Sequence, residues 1–316
     1  MLGYLIQRLF ISILVVFLVS LFAFSLMQVL PGDPARLALG WEASQDDVDA
    51  LRRDLNLDKP LLIQYWLWIK DLLNGNFGKS IMYNRPIGNI LAERLPRTVA
   101  IGVPALIIAV MFGIGSGIIS AIRRGKLIDQ VLTFLMTMGV GTPVFWVGIL
   151  GIYVFAIGLK ILPIQGFVSP FDDFGKYVHK AILPVFCLSL GLIASVARQT
   201  RSNMLEVINQ DFIRTARANG IAERSVIFKH ALRNALIPII TIIALQMRIV
   251  IGGSLLVEQV FNIAGLGSLL TAAIGGRDYL IVQGCVLLIS MFTVACNLIV
   301  DILYGFVDPR IREAKR

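Results

Sequence analysis

Charged side chains are scarce in this chain. They make up 16% of its 316 residues, against about 25% in soluble domains. That shortage excludes an ordinary soluble globular protein, because the uncharged remainder sits in long apolar runs. Histidine is nearly absent, with His179 and His230 the only two. No H-E-x-x-H or similar spacing exists, so no zinc-hydrolase pattern is present. Cys187, Cys285 and Cys296 are the only cysteines, and all lie in apolar runs. They make neither a disulfide framework nor a metal-ligand pattern, and read as small buried hydrophobes. Nothing resembles a catalytic triad or a paired-carboxylate site, so an enzymatic role for this chain is not expected.

What the chain has in excess is apolar length, with 57% hydrophobic residues. The first run, Leu9 to Leu30, is too long for a signal-peptide core and lacks a small-residue cleavage site before Pro31, so it reads as a retained helix. Further runs lie near Thr98–Ile122, Ile128–Ile157, Ala181–Ala197, Leu236–Val257 and Val282–Phe306. Each supplies roughly the 20 residues needed to cross about 30 Å of hydrocarbon. The expected fold is all-α: a polytopic membrane protein of six transmembrane helices. The third run is long enough to need tilt or a break, and Pro143 after Gly139 and Gly141 marks the expected kink. Gly113 and Gly117 form a small-xxx-small pair suited to close helix packing.

The formal net charge is +9, but membrane topology explains it better than nucleic acid does. Arg8, Arg123, Arg124, Lys126, Arg198, Arg201, Arg214, Arg217, Arg224, Lys229, Arg233, Arg310, Arg312, Lys315 and Arg316 fall on one set of connections. The opposite short connections carry only Lys160, Lys176, Lys180 and Arg277. By the positive-inside rule both termini are expected in the cytoplasm. The expected organisation is an N-terminal helix over 1–30, an external segment over 31–96, a five-helix core over 97–306 and a cytoplasmic tail over 307–316. Within the core, 198–236 forms a cytoplasmic loop.

The external segment has helical signals of its own. Ser44 with Asp47 fits a capping box, and Val48, Leu51 and Leu55 then share a face. Tyr65, Trp66 and Trp68 suit a helix at the lipid–water boundary. Asn74-Gly75-Asn76 is a turn signal. Gly78-Lys79-Ser80 looks like the end of a P-loop, but the first glycine of that motif would fall on Leu73, so the motif fails.

The stretch Gln210–Pro238, QDFIRTARANGIAERSVIFKHALRNALIP, is basic and partly amphipathic between two membrane-grade runs. Phe212, Thr215, Ala216 and Asn219 recur at spacings of three and four, one narrow face of a short helix. Ala216 and Ala218 are small enough for close approach by a partner. Gly220 permits a positive φ and a change of direction. A second helical stretch begins near Ile221, with Val226, Ile227 and Leu232. Two short helices joined at a glycine make a knob that fits a cleft in a soluble subunit. A helix lying on the lipid surface is the alternative.

Here the chain resembles the permease subunits of ATP-binding-cassette importers, in the branch for dipeptides, oligopeptides, nickel complexes and related solutes. The superfamily loop reads E-A-A-x-x-x-G and then I-x-L-P. Arg214, Thr215 and Ala216 stand at the E-A-A positions and Gly220 at the glycine. His230-Ala231-Leu232-Arg233 stands where I-x-L-P would be. Those departures agree with the peptide branch, whose loop resembles T-A-R-A-x-G and H-A-L-R-N-A-L-x-P. Pro31-Gly32-Asp33-Pro34 resembles that branch's N-terminal signature. Gly252-Gly253-Ser254 with Glu258, Phe261 and Gly265-Leu266-Gly267 matches a second block. Arg277-Asp278-Tyr279, Asn297, Asp301, Tyr304 and Asp308-Pro309-Arg310 match a third.

The resemblance implies a solute-conducting subunit in a prokaryotic inner membrane. It implies a second homologous permease, two ATP-binding subunits and an external solute-binding protein as partners. No cofactor is expected on this chain, with ATP and magnesium on the partner subunits. The residues implied in coupling are Asp211, Arg214, Thr215, Ala216, Arg217, Ala218, Asn219, Gly220, His230 and Arg233.

Arg248 stands near the middle of the fifth run. Facing lipid there costs roughly 2.5–3.5 kcal/mol, so it is expected to face protein or water. Asn297 and Asp301 are four apart and share a helical face, which allows an Arg248–Asp301 bridge or a role for Arg248 in attracting a solute carboxylate. Two other functional classes compete: an ion-coupled secondary carrier, and a membrane scaffold without transport. The first would show internal repeats and midplane ionisable clusters, and no convincing repeat is visible.

Overall fold

A computed structural model describes residues 2–29, 34–40, 42–54 and 56–307. Apolar runs bounded by proline, glycine and asparagine leave the backbone little choice within a membrane. Each segment must satisfy its own N–H and C=O groups, which favours helices. The order is α1 (Leu2–Val29), α2 (Pro34–Leu39), α3 (Gln45–Asp54), α4 (Leu61–Leu73), α5 (Ile87–Ile122), α6 (Leu127–Gly141) and α7 (Val144–Gly151). A π-helical stretch, Ile152–Gly158, extends α7. Next come α8 (Phe174–Ile208), α9 (Asp211–Ala218) and α10 (Glu223–Ser225), then a π-helical turn at Val226–Ala231. The described residues close with α11 (Leu232–Val260), α12 (Leu266–Gly275) and α13 (Tyr279–Val307).

Among the described residues, four helices are long and apolar enough to cross a membrane, and the number reaches six if each of two bent pairs is one span. The expected kink at Pro143 is a break. The segments Leu127–Gly141 and Val144–Gly158 meet at 102°, where Pro143 cannot donate to the helical ladder. Several helices exceed the apolar runs that announced them. Helix α5 starts at Ile87 rather than near Thr98 and continues through Pro96 and Pro104. Its first turns lie inside the segment expected to be external. Helix α8 runs on past Ala197 to Ile208, because the polar residues that follow include good helix formers such as Arg198, Gln199 and Arg201. Helix α11 likewise begins before its apolar run, at Leu232, and continues through Pro238.

The core forms where α5 and α8 cross, with α11 and α13 alongside. Gly113 and Gly117 sit at that crossing. A Cβ on Gly113 would fall 2.7 Å from Val196, and one on Gly117 would fall 2.5 Å from Thr200, so the small pair sets how closely the helices approach.

Ser44 caps α3 as expected, its Oγ accepting from the Asp47 N–H at 3.2 Å, while the Asp47 carboxylate takes its bond from the Ser44 hydroxyl at 2.6 Å and not from the backbone N–H of a full capping box. Val48 is fully buried. Tyr65 of α4 packs edge-on against Phe17 and Phe24 of α1 and shares a 2.7 Å hydrogen bond with Ser20. The aromatics of α4 therefore partly brace α1, although Trp66 remains exposed. Leu55, the Pro31-Gly32-Asp33 triplet and residues 308–316 fall outside the described residues.

Candidate functional site

Helix α9 is mounted at the end of the bundle where α5 and α8 terminate. Its sequence alternates roles at helical spacing. Ile213 and Ala216 are buried, whereas Asp211, Phe212, Arg214, Thr215, Arg217, Ala218 and Asn219 are exposed. The two buried residues pack in an apolar cluster with Ile118 and Ala121 of α5, Met204 and Val207 of α8, and Val226, Ile227, Ala231 and Ala235 beyond α9. This corrects one sequence expectation: Ala216 belongs to the mounting face and not to the face offered outward with Phe212, Thr215 and Asn219. Ile213, unnoticed in the sequence reading, is the main anchor and is fully buried.

The end of α9 follows from Gly220. Its φ is +77°, a left-handed value costly for residues with a Cβ. With Gly220 in that state, the Ile221 N–H reaches the Ala216 carbonyl at 3.3 Å and the Gly220 N–H reaches the Arg217 carbonyl at 2.9 Å. This pair is the Schellman pattern, which satisfies carbonyls the helix would otherwise leave open. Nothing lies within 4 Å of the Cβ that another residue would place there, so only backbone conformation demands glycine. Beyond the turn, Arg217 Nε and Nη2 donate to Glu223 at 3.0 and 2.7 Å. That pair holds the Arg217 guanidinium above its ordinary pKa through its hydrogen bonds to the carboxylate. Arg214 pairs with Asp211 at 3.3 Å.

The other residues expected in coupling are spread more widely. His230 lies half-buried in the π-helical turn that packs against α9, and its carbonyl accepts from Asn234 Nδ2 at 2.7 Å. Arg233 is exposed in the first turn of α11. Asp301 is not a distant bystander: Arg8 of α1 pairs with it at 3.1 Å. Arg8, Ser12, Thr241, Asn297 and Asp301 line one cavity of about 330 Å³ between α1, α11 and α13. The Arg248 side chain lies outside the described residues, so its expected bridge to Asp301 does too.

Three buried polar clusters escaped the sequence reading. Glu258 of α11 has no exposed surface. It accepts from Thr98 Oγ1 at 2.6 Å, Ser254 Oγ at 3.2 Å and the Ser268 N–H at 2.9 Å. Thr98 Oγ1 in turn accepts from the Leu266 N–H at 2.8 Å. These bonds tie α5, α11 and α12 together, and a Cβ on Gly265 would collide with the carboxylate at 2.4 Å. The second cluster explains the failed P-loop. Ser80 Oγ donates to buried Asp278 at 2.6 Å, and the Met82 N–H joins at 3.0 Å. Ser80 thus pins the segment before α5 to the connection before α13. In the third cluster, at the end of the bundle that carries α9, Arg201 of α8 grips Asp129 of α6.

The geometry defines a helical membrane protein that carries a short helix, exposed on one face and packed on the other. The chain belongs to the binding-protein-dependent transport system inner membrane component family. That family's model matches residues 113–313, and the model of its N-terminal part matches residues 1–102. It is a multi-pass permease subunit of an ABC importer in the peptide branch.

Among similar proteins is the "probable peptide ABC transporter permease protein y4tP" of Sinorhizobium fredii, 40% identical over 98% of this chain and 99% of that one. The glutathione transport system permease GsiC of Escherichia coli is 39% identical over 99% of both. Inward-facing structures of the MetNI methionine ABC transporter share the fold. One has a TM-score of 0.58 at 15% identity, covering 69% of this chain and 96% of that one.

Proposed function

We propose that this permease takes up peptides or chemically similar small solutes. It forms half of a path completed by a second homologous permease in a prokaryotic inner membrane. Two ATPase subunits, which hold ATP and magnesium, grip α9 from the cytoplasm, and an external binding protein delivers the solute. The N- and C-terminal ends of the chain lie on the same cytoplasmic side as α9.

One observation carries this reading: α9 is exposed on one face and anchored on the other. A helix that merely rested on lipid would direct its apolar residues outward to the bilayer. In α9 Ile213 and Ala216 point into the protein, while the outward face mixes Phe212 with Thr215, Asn219 and two arginines. A push on such a helix is passed to α5 and α8 and is not absorbed by a loose loop. Coupling then needs contacts that differ between two states of the bundle. The substrate class is supported by the peptide-branch blocks and by relatives named for peptides and for glutathione, itself a short peptide.

The test is reconstitution of the whole transporter in proteoliposomes with its binding protein and tritiated dialanine. ATP-driven uptake that needs both the binding protein and the ATPases is the expected result. Uptake by this chain alone, driven by an ion gradient, would overturn the reading in favour of a secondary carrier.

A further inference from the structure

Where α6 begins, Asp129 is nearly fully buried yet carries a carboxylate with five donors. Arg201 Nε donates to Oδ1 at 2.8 Å and Nη2 to Oδ2 at 3.0 Å, a two-point grip. Ser120 Oγ of α5 donates to Oδ1 at 2.5 Å, the Gly125 N–H to Oδ2 at 2.9 Å, and Thr133 Oγ1 to Oδ1 at 3.3 Å. Arg201 Nε also reaches Ser120 Oγ at 3.0 Å. One carboxylate therefore joins α5, the turn after it, α6 and α8.

Buried ion pairs are poor stabilisers, because desolvation offsets much of their attraction. Their better-attested use is to fix one arrangement of elements over others. A planar guanidinium held at two points also resists sliding and rotation in a way an apolar contact does not. The location gives that property a use. Arg201 lies on α8 less than three turns before the chain enters α9. Asp129 lies at the base of α6, whose far end is the 102° break at Pro143. Elsewhere α6 meets α8 through small and apolar residues, as where a Cβ on Gly139 would fall 2.8 Å from Ala194, and the ion pair adds a directional bond at the base of that contact.

We infer that Asp129 and Arg201 are positioning residues for transport. They lock the base of the broken span to the stem that carries α9, so that movement of α9 reaches the break. This rests on the reading of α9 as the ATPase grip. The pair touches neither ATP nor solute.

The experiment uses the full transporter with its binding protein in proteoliposomes, and tritiated dialanine as probe. Asp129→Asn keeps the shape and most partners but loses the charge, and Arg201→Gln loses the two-point grip. Both are expected to retain ATP hydrolysis while uptake per ATP falls about fivefold or more, the low end of coupling between sites. Arg201→Lys, which keeps the charge, is expected to recover part of that ratio.

Spin labels at exposed Gln130 on α6 and Glu206 on α8 give an arm that needs no solute. One narrow distance is expected in the native pair, with or without trapped ATP, and a broadened or split distribution in Asp129→Asn. Native uptake per ATP with an unchanged narrow distance in that variant would overturn the inference. So would loss of assembled transporter in all three variants alike, since the pair would then serve folding alone. If the native transporter carries no dialanine, the peptide reading fails while the spin-label arm still decides this one.

Discussion

Gly220 offers the sharpest perturbation, because conformation and space are separated there. Its φ is +77°, and the volume where a Cβ would stand is empty to 4 Å. Alanine therefore meets no clash and bears only the left-handed backbone penalty of about 1–2 kcal/mol. That is a factor of roughly 5–30 in the population of the turn at 25 °C. Asparagine tolerates the same conformation better, so Gly220→Asn should lie between glycine and alanine. Leucine, with the same backbone demand and open space, should match alanine in the isolated permease. The assay is amide hydrogen exchange at Gly220 and Ile221, whose N–H groups close the turn. Protection should fall from glycine to asparagine to alanine, while membrane insertion stays normal. In the full transporter, uptake per ATP should fall in the same order. A further loss for Gly220→Leu seen only there would place an ATPase surface beside position 220. If alanine and glycine gave equal protection and equal uptake per ATP, or asparagine were as harmful as alanine, the conformational argument would be refuted.

Four other substitutions separate the faces and clusters. Ile213→Ala removes the buried anchor of α9 and should cost about 2–5 kcal/mol locally. Phe212→Ala, on the exposed face, should leave thermal unfolding of the purified permease unchanged and weaken its co-purification with the ATPases. Gly265→Ala sets a methyl against the Glu258 carboxylate and should destabilise by about 1–3 kcal/mol. Adding Glu258→Ala should make the pair clearly non-additive in a thermal-shift cycle, and simple additivity would show that the two do not meet.

What could be read in advance was local. Apolar length announced the spanning helices, Pro143 announced the break, and Gly113 with Gly117 announced a close crossing. The Ser44–Asp47 cap and the turn at Gly220 were legible because their partners lie within a few residues. Helix ends were less legible. Polarity rather than helix propensity set the expected limits, so the polar end of α8 was assigned to a loop and the start of α5 to the external segment. The buried polar clusters were not legible at all. Thr98 and Glu258 are 160 residues apart, Ser80 and Asp278 are 198 apart, and Asp129 and Arg201 are 72 apart. Only folding brings them together, and no periodicity encodes it. Arg201 was read as a topology charge for the same reason. The outward face of α9 was misjudged at Ala216 because small residues suit both a tight mount and a close partner. The i, i+3 pair Ile213 and Ala216 was the signal that could have decided it.

The central claim is that separate ATPases hold the exposed face of α9. Site-specific photo-cross-linking in intact cells tests it most directly, with a reactive side chain placed in turn at Phe212, Thr215 and Asn219, and at Trp66 as a control. The account predicts adducts with the ATPase subunits at the three α9 positions, stronger when ATP is trapped, and none at Trp66. Adducts with lipid alone at the α9 positions, or with an external protein, would contradict it.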